Sequence, residues 1–466
     1  MKICVVGLGY IGFPTACLMA SKGHHVVGVD IRESIVERLR NGEIHITDEN
    51  GLVEVARKVL GSGALKVSTT PVESDAFIIC VPTPVTMPRD VVIDALGSVN
   101  SSEFETASSQ VAAGHEESGR ESVLPNSVSR PTVDLSYVQA AVESIAPVLR
   151  CGNLVIIEST VPPGTTEHVV LPILERYGWS RKDILLAHAP ERVIPGAIMR
   201  ELVENDRVVG GLTPEATEAA KQLYATIAKG EIFTTDATTA EFVKLIENTY
   251  RDVNIALANE LARLAEYLGI DVQQSIAMAN RHPRVNILNP GPGVGGHCIP
   301  VDPYFLIERA PHLTLLMQAA RTVNDGMVEH VVEIVDELSK VEQLSRWVLL
   351  GAAYKADVSD ERNSPSLKIA GRLMNLGYSI VIHDPYIEKY NAPLETVLHG
   401  AHGLLLLTDH TLYRNLDPRK VRGLVARRFV VDTRLCLPVD AWTENGFVIR
   451  RLGDGRRTIR SRSHVR

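Results

Sequence analysis

The chain has 466 residues, 45% of them hydrophobic and 22% charged, which suits two or three globular domains and excludes a disordered or fibrous protein. Forty-eight basic against 56 acidic residues leave a formal net charge of −8, so a general nucleic-acid binder is excluded and only local cationic pockets remain. Six cysteines, at positions 4, 17, 80, 151, 298 and 436, form no CxxC pair, so neither a metal site nor a disulfide framework is expected.

The first 210 residues alternate short β-branched runs with helical stretches. The runs at 2–7, 25–30, 65–70, 76–82, 152–160, 184–191 and 206–211 lack a clean period of two, as expected for a parallel sheet covered on both faces. The apolar start lacks the basic flank and cleavage site of a signal peptide. No apolar run approaches the roughly 18 to 20 residues of a membrane span, and a cytoplasmic location is expected. Between Gly97 and Arg130 stand nine serines and one aromatic residue, Phe104, too little apolar surface to order a segment, so a disordered insertion is expected over 86–132. From Thr213 to about Asp325 the pattern is helical, most clearly over 239–269, where Gly269 ends it. Strand and helix alternation returns at Trp347, predicting a second α/β domain. Seven arginines in the last 17 residues read as a solvated tail. The expected fold class is α/β, two Rossmann-like doubly wound parallel sheets joined by a central helical domain.

The first strand runs into Gly7-Leu8-Gly9-Tyr10-Ile11-Gly12, and the second ends at Asp30. Gly7 suits the tight turn, Gly9 lets the backbone approach a pyrophosphate, and Gly12 permits close packing of the helix whose N-terminus faces it. Asp30 can accept the ribose hydroxyls and would repel a 2′-phosphate, which favours NAD over NADP; FAD shares the glycine fingerprint.

Lys244, Asn248 and Arg251 are spaced i, i+4 and i+7 along the long helix, on one face. Alone, such a stripe is an ordinary solvated surface. The loop 289–302 changes its meaning: four glycines in six residues precede Cys298, and Asp302 follows. Cys298 lies outside any apolar run, as suits an accessible thiolate nucleophile. Asp302 before Pro303 could equally be a helix N-cap. A thiolate beside NAD solves a chemical problem: an aldehyde is a poor hydride donor until a nucleophile adds to it. Attack by Cys298 gives a thiohemiacetal that can lose a second hydride and become a thioester, with Lys244 shuttling a proton and Asn248 donating a hydrogen bond to the alkoxide. The residues point to a four-electron oxidation of a primary alcohol.

With these features the chain resembles the UDP-glucose/GDP-mannose dehydrogenase family over nearly its whole length. The resemblance rests on the glycine turn, Val81-Pro82-Thr83-Pro84, Glu158-Ser159-Thr160, Pro190-Glu191-Arg192, the Lys244 helix, Gly295-Gly296-His297-Cys298 ahead of Asp302, and Tyr354-Lys355-Ala356-Asp357 with Arg362. Within the family it is most similar to members acting on UDP-N-acetyl-D-mannosamine, through Gly42-Glu43-Ile44-His45-Ile46, 68–73, 205–208, 280–287 and the run ending at Cys298.

The resemblance implies a cysteine nucleophile at Cys298 and an acid/base group at Lys244. It implies NAD contacts from Tyr10, Ile11, Asp30, Thr83, Thr160 and Arg362. Around a UDP-sugar it implies Arg192, Val193, Lys244, Asn248, Arg251, His282, Arg284, Gly295, Lys355 and Arg434. It further implies an NAD domain over 1–212, a central catalytic and dimerising domain over 213–325, and a UDP-sugar domain over 326–466. Where UDP-glucose enzymes carry a second glutamate four residues after the one in the Pro-Glu motif, this chain has Pro195, which disfavours glucose and removes one candidate base. The competing expectations are the UDP-N-acetyl-glucosamine epimer, a two-electron 3-hydroxyacid dehydrogenase that needs no cysteine, and a catalytically silent nucleotide-binding regulator.

Overall fold

A computed structural model describes residues 1–47, 49–86 and 132–456. The serine-rich insertion and the residues beyond Arg456 lie outside the described residues; the expected solvated tail nevertheless starts too early, because Arg450 and Arg451 end a strand of the second sheet, Arg450 buried and Arg451 bonded to Asp271. The insertion's flanks are described: β5 (Val85–Thr86) and β6 (Thr132–Val133), with strands numbered in chain order, pair as a short antiparallel ladder. Thr86 and Thr132, expected inside the insertion, therefore belong to its stem.

The first sheet contains β1 (Lys2–Val6), β2 (His25–Val29), β3 (Leu65–Ser68), β4 (Ala76–Ile79), β7 (Leu154–Ile157), β8 (Leu185–His188), β9 (Arg207–Gly211) and β10 (Ile232–Asp236). Their spatial order is β10-β9-β8-β7-β4-β1-β2-β3. Six strands are parallel in the order 3-2-1-4-5-6 of a dinucleotide-binding sheet, with the switch point between β1 and β4. Apolar clusters cover both faces, one around Phe13, Met19 and Tyr224, the other around Phe77, Val142 and Leu174. Burial on both sides is why these strands read as unbroken apolar runs.

One run departs from the parallel expectation. β9 is antiparallel to β8, pairing only through Ala187 with Gly211 and His188 with Gly210. The connection over 189–206 never crosses to the far edge of the sheet, so a parallel return is impossible. It stays at the carboxyl edge, and so do Glu191 and Arg192. β10 was not foreseen either; it adds to β9 in parallel and places the segment just before Ala237 with the first sheet.

The second sheet contains β11 (Arg346–Leu350), β12 (Ser379–His383), β13 (Gly403–Leu406), β14 (Phe429–Asp432) and β15 (Val448–Arg451), all parallel in the order β12-β11-β13-β14-β15. Two long helices, Ala237–Leu268 and Leu315–Glu342, join the sheets. The first is capped by Asp236, whose carboxylate accepts the Thr239 N–H, and is ended by Gly269 at φ 77°. Ala262, Ala265, Met327 and Val331 from the long helices share one core with Trp347 and Leu405 of the second sheet.

Candidate active site

The glycine turn is built by steric necessity. A Cβ on Gly7 would stand 2.4 Å from the Cys80 carbonyl oxygen, and one on Gly12 would stand 1.9 Å from that of Gly7. Gly9 is different: nothing lies within 4 Å of where its Cβ would be, so its backbone faces open space at the start of the helix Gly12–Ser21, whose N-cap Ile11 offers no side-chain cap. That is the cradle a pyrophosphate needs. The buried Asp30 carboxylate accepts the Leu8 N–H at 3.1 Å and both the backbone and guanidinium of Arg32. Burial opposes its ionisation, but these bonds outweigh burial and hold the carboxyl below its ordinary range. The residues fit NAD.

The second sheet repeats this geometry and closes it. The Ala352 and Ala353 N–H groups donate to Asp384 at the end of β12, as Leu8 does to Asp30, but Asp384 is fully buried and also receives His410 Nε2 at 3.0 Å. A Cβ on Gly351 would meet Thr408 at 2.3 Å. Asp384 is thereby closed off from a ribose.

Four of the side chains singled out for chemistry converge. Lys244 and Asn248 are buried on the inner face of the helix Ala237–Leu268. Asn248 Nδ2 donates to Asp302 Oδ2 at 2.6 Å. Asp302 does not act as a cap: it is the first residue of the helix Asp302–Arg309, and the N-cap position belongs to Val301. Its carboxylate is instead aimed at the central helix. Burial pushes Asp302 up to about 6, partly offset by the Lys244 ammonium and the Asn248 bond. Cys298 is partly buried rather than an open thiolate. Burial, and then the Asp302 charge, raise its thiol to about 11, against the pull of Lys244. At neutral pH the Cys298 side chain is therefore a thiol.

The cysteine loop is fastened to the second sheet's domain and, through it, to the glycine turn. Gly296 N–H donates to the Arg362 carbonyl at 3.0 Å and Asn363 Nδ2 donates to Gly296 O at 3.1 Å. The Arg362 guanidinium grips Asp360 and lies 5.4 Å over the Tyr10 ring. Gly295 has no room for a side chain, since a Cβ would stand 2.5 Å from that of Tyr354. Thr83 Oγ1 donates to the Thr160 carbonyl at 2.7 Å, tying two of the anticipated cofactor contacts together.

The anticipated sugar-nucleotide residues are spread more widely. Arg192 forms a bidentate pair with Glu247 of the central helix, and Arg434 pairs with Asp409 while lying against Gly291. Lys355 Nζ donates to the Pro195 carbonyl at 2.9 Å, bridging the two α/β domains. Arg251 is exposed, its charge felt by Tyr354 and Lys355. Val193 packs against the first core. His282 and Arg284 stay exposed on a turn closed by the Asn280 side chain and are not brought to Cys298.

Sequence reasoning gave no role to a buried pair behind the site. Glu158 accepts from Cys80 Sγ at 2.8 Å and from the Tyr224 hydroxyl at 3.0 Å, with Arg207 at 3.8 Å. Glu191 is buried nearby and accepts the Arg192 N–H at 2.6 Å. Burial raises both carboxyls, and the charge of Glu191 adds to the rise at Glu158. The signal was present: each glutamate follows an apolar strand at the carboxyl edge of the sheet, where ligands bind.

Three family models match the chain: the UDP-glucose/GDP-mannose dehydrogenase NAD binding domain over residues 1–113 and 123–228, the central domain over 238–326, and the UDP binding domain over 348–439. Among curated relatives, UDP-N-acetyl-D-mannosamine dehydrogenase of Methanocaldococcus jannaschii is 40% identical, with 98% of this chain and 97% of that protein covered. NDP-N-acetyl-D-galactosaminuronic acid dehydrogenase of Ralstonia nicotianae is 39% identical, covering 93% and 95%. The solved structure of the UDP-D-ManNAc dehydrogenase from Pyrococcus horikoshii superimposes with a TM-score of 0.83 at 38% identity, covering 98% and 100%. With the open Gly9 cradle at one end of the site and a UDP-binding domain fastened to the other, the chain belongs to the UDP-glucose/GDP-mannose dehydrogenase family and is an NAD-dependent nucleotide-sugar dehydrogenase.

Proposed function

We propose that the protein oxidises UDP-N-acetyl-D-mannosamine at C6 to the uronate in two hydride transfers, through a thiohemiacetal and a thioester on Cys298. The observation that carries this reading is the convergence of Cys298, Lys244, Asn248 and Asp302 on a loop fastened to Arg362, beside Tyr10 of the glycine turn. NAD, held at the Gly9 cradle and Asp30, would supply the hydride acceptor for both oxidations of C6. In the first oxidation Lys244 relays the C6 hydroxyl proton to the neighbouring Asp302 carboxylate. Cys298 sulfur then bonds to the aldehyde carbon while its own proton passes to the carbonyl oxygen, a transfer for which Lys244 and Asp302 are the adjacent groups. Asn248 and Lys244 hold the oxygen in both tetrahedral states. Water finally cleaves the carbon–sulfur bond, releasing the carboxylate and restoring the thiol.

The mannosamine assignment is supported by the names and identities of the relatives and by Pro195 in place of a second glutamate. No helix among the described residues is long and apolar enough to cross a membrane, and the six cysteines are free, in keeping with a cytoplasmic enzyme. Exposed Phe242, Ile246, Tyr250, Leu257 and Leu264 lie on one face of the central helix, in keeping with a homodimer.

The test is the count of NADH formed per UDP-N-acetyl-D-mannosamine consumed, with the gluco and galacto epimers and UDP-glucose run beside it. A ratio of about two with preference for the manno epimer is expected. A ratio of about one, or full turnover by Cys298→Ser, removes the thioester route; preference for another epimer moves only the sugar.

A further inference from the structure

Glu241 has no part in the chemistry above, yet it is one of the most thoroughly engaged carboxylates in the molecule. It sits one helical turn before Lys244 on the same buried face and is 1% exposed. Its oxygens accept the Gly164 N–H at 2.5 Å, the Thr166 N–H at 2.7 Å and the Thr166 hydroxyl at 2.6 Å. All three donors belong to the first domain, 75 to 77 residues away in sequence. The turn they form is tight: Gly164 has φ 89°, and the Thr165 hydroxyl closes back on the Pro162 carbonyl.

That turn is the far end of the loop leaving β7. The near end carries Ser159, whose hydroxyl accepts the Val81 N–H at 2.9 Å, and Thr160, whose carbonyl accepts Thr83 Oγ1. The loop is therefore pinned twice, once to the strand-end segment beside the glycine turn and once to Glu241. After it the chain enters a five-residue π-helical turn, Thr166–Val170, a local irregularity that depends on outside partners for its unpaired backbone groups.

We infer that Glu241 is a positioning residue for hydride transfer: it sets the spacing between the Thr83–Thr160 shelf of the NAD domain and the Lys244–Asn248 face of the same helix. One turn separates Glu241 from Lys244, about 4.5 Å along the axis, so the shelf and the base share a single rigid reference. A structural carboxylate would serve anywhere along the contact. One placed a turn from the base couples cofactor placement to the reacting carbon, where an error near 1 Å costs on the order of 100-fold in rate.

The inference rests on the NAD-dependent oxidation of a nucleotide sugar and not on which sugar is used. The probes are NAD alone, titrated into sugar-free enzyme, and steady-state turnover with UDP-N-acetyl-D-mannosamine. Glu241→Gln keeps the shape but turns an amide toward N–H donors; Glu241→Asp keeps the charge. For Glu241→Gln we expect kcat/KM for NAD to fall by roughly 100-fold, a larger C6-deuterium isotope effect on kcat, and sugar-nucleotide affinity within about twofold. Glu241→Asp should recover part of the loss. Should Glu241→Gln fail to fold, Thr166→Val removes one donor only and should shift the same parameters by about tenfold. Turnover within about threefold of the parent, or equal losses for both substrates without a change in isotope effect, overturns the role. The sugar-free titration keeps this outcome separate from an error in the sugar assignment.

Discussion

Asp302 helps to set the protonation of Cys298. The thiol stands near 11 partly because Asp302 is close and negative, and Asp302 stands near 6 because it is buried. Above about pH 6 the carboxylate ionises and holds the thiol proton in place; neutralising it should release the thiol. In a Cys151→Ser background, which removes the exposed competitor, Asp302→Asn is expected to speed iodoacetamide labelling of Cys298 at pH 7.5 by about tenfold, read by peptide mass spectrometry. Unchanged or slower labelling would show that Asp302 does not set the thiol. The same carboxyl has a signature in stability. Its folded value lies above the ordinary 3.8, so the native state keeps a proton that the unfolded chain has lost. Its stabilisation is complete below about pH 4 and disappears as pH rises through about 6. Asp302→Asn should flatten that part of the pH–stability curve, measured by urea unfolding.

At the scale of elements, the central helix is a rod with polar anchors. Glu241, Lys244, Asn248 and Asp252 are all buried along it. Asp252 is paired with Arg321 at 2.5 Å and accepts Asn324 Nδ2, while Asn324 Oδ1 accepts Asn259 Nδ2 at 2.9 Å. Asn259 Oδ1 then takes the Gly291 N–H at 2.8 Å, at the start of the cysteine loop. A buried ion pair such as Asp252–Arg321 contributes little net stability compared with apolar packing, and its clearer effect is to allow one register between the two long helices. Asn259→Ala leaves the Gly291 N–H and the Asn324 amide oxygen without this partner. It is expected to cost about 1 to 3 kcal/mol, measured by urea denaturation, together with a fall in kcat as the loop loosens. Lost stability with unchanged kcat would show that the loop holds its shape without this chain.

At the scale of the molecule, the site exists only where three modules touch. Lys355 reaches the Pro195 carbonyl, Gly296 is bonded to Arg362 and Asn363, and Arg362 covers Tyr10. The outer face of the central helix remains apolar: Tyr250 is 61% and Leu264 48% exposed, an arrangement a solvated helix surface does not need. Sedimentation equilibrium is expected to give a dimer. The double variant Ile246→Glu and Leu264→Glu should give a monomer of native circular dichroism; a monomeric parent would remove the dimer proposal.

Much of the architecture was written in local patterns. Gly7, Gly12 and Asp30 are read from spacing because the turn, the close helix packing and the ribose acceptor each demand one residue type at one place. Lys244 and Asn248 were legible because helical periodicity puts them on one face. Two strands show the limit of such patterns: β9 is buried throughout and legible as a strand, but its direction depends on which edge the 189–206 connection keeps to, while β10 is largely exposed and carries no burial signature of its own. The cysteine's protonation, the pairing of Asp302 with Asn248, the Glu158–Glu191 pair and the grip of Glu241 on the Gly164 turn were decided only by the tertiary structure. Each depends on burial or on partners tens of residues away, and both desolvation and Coulomb interaction are functions of distance in space, which residue order does not contain.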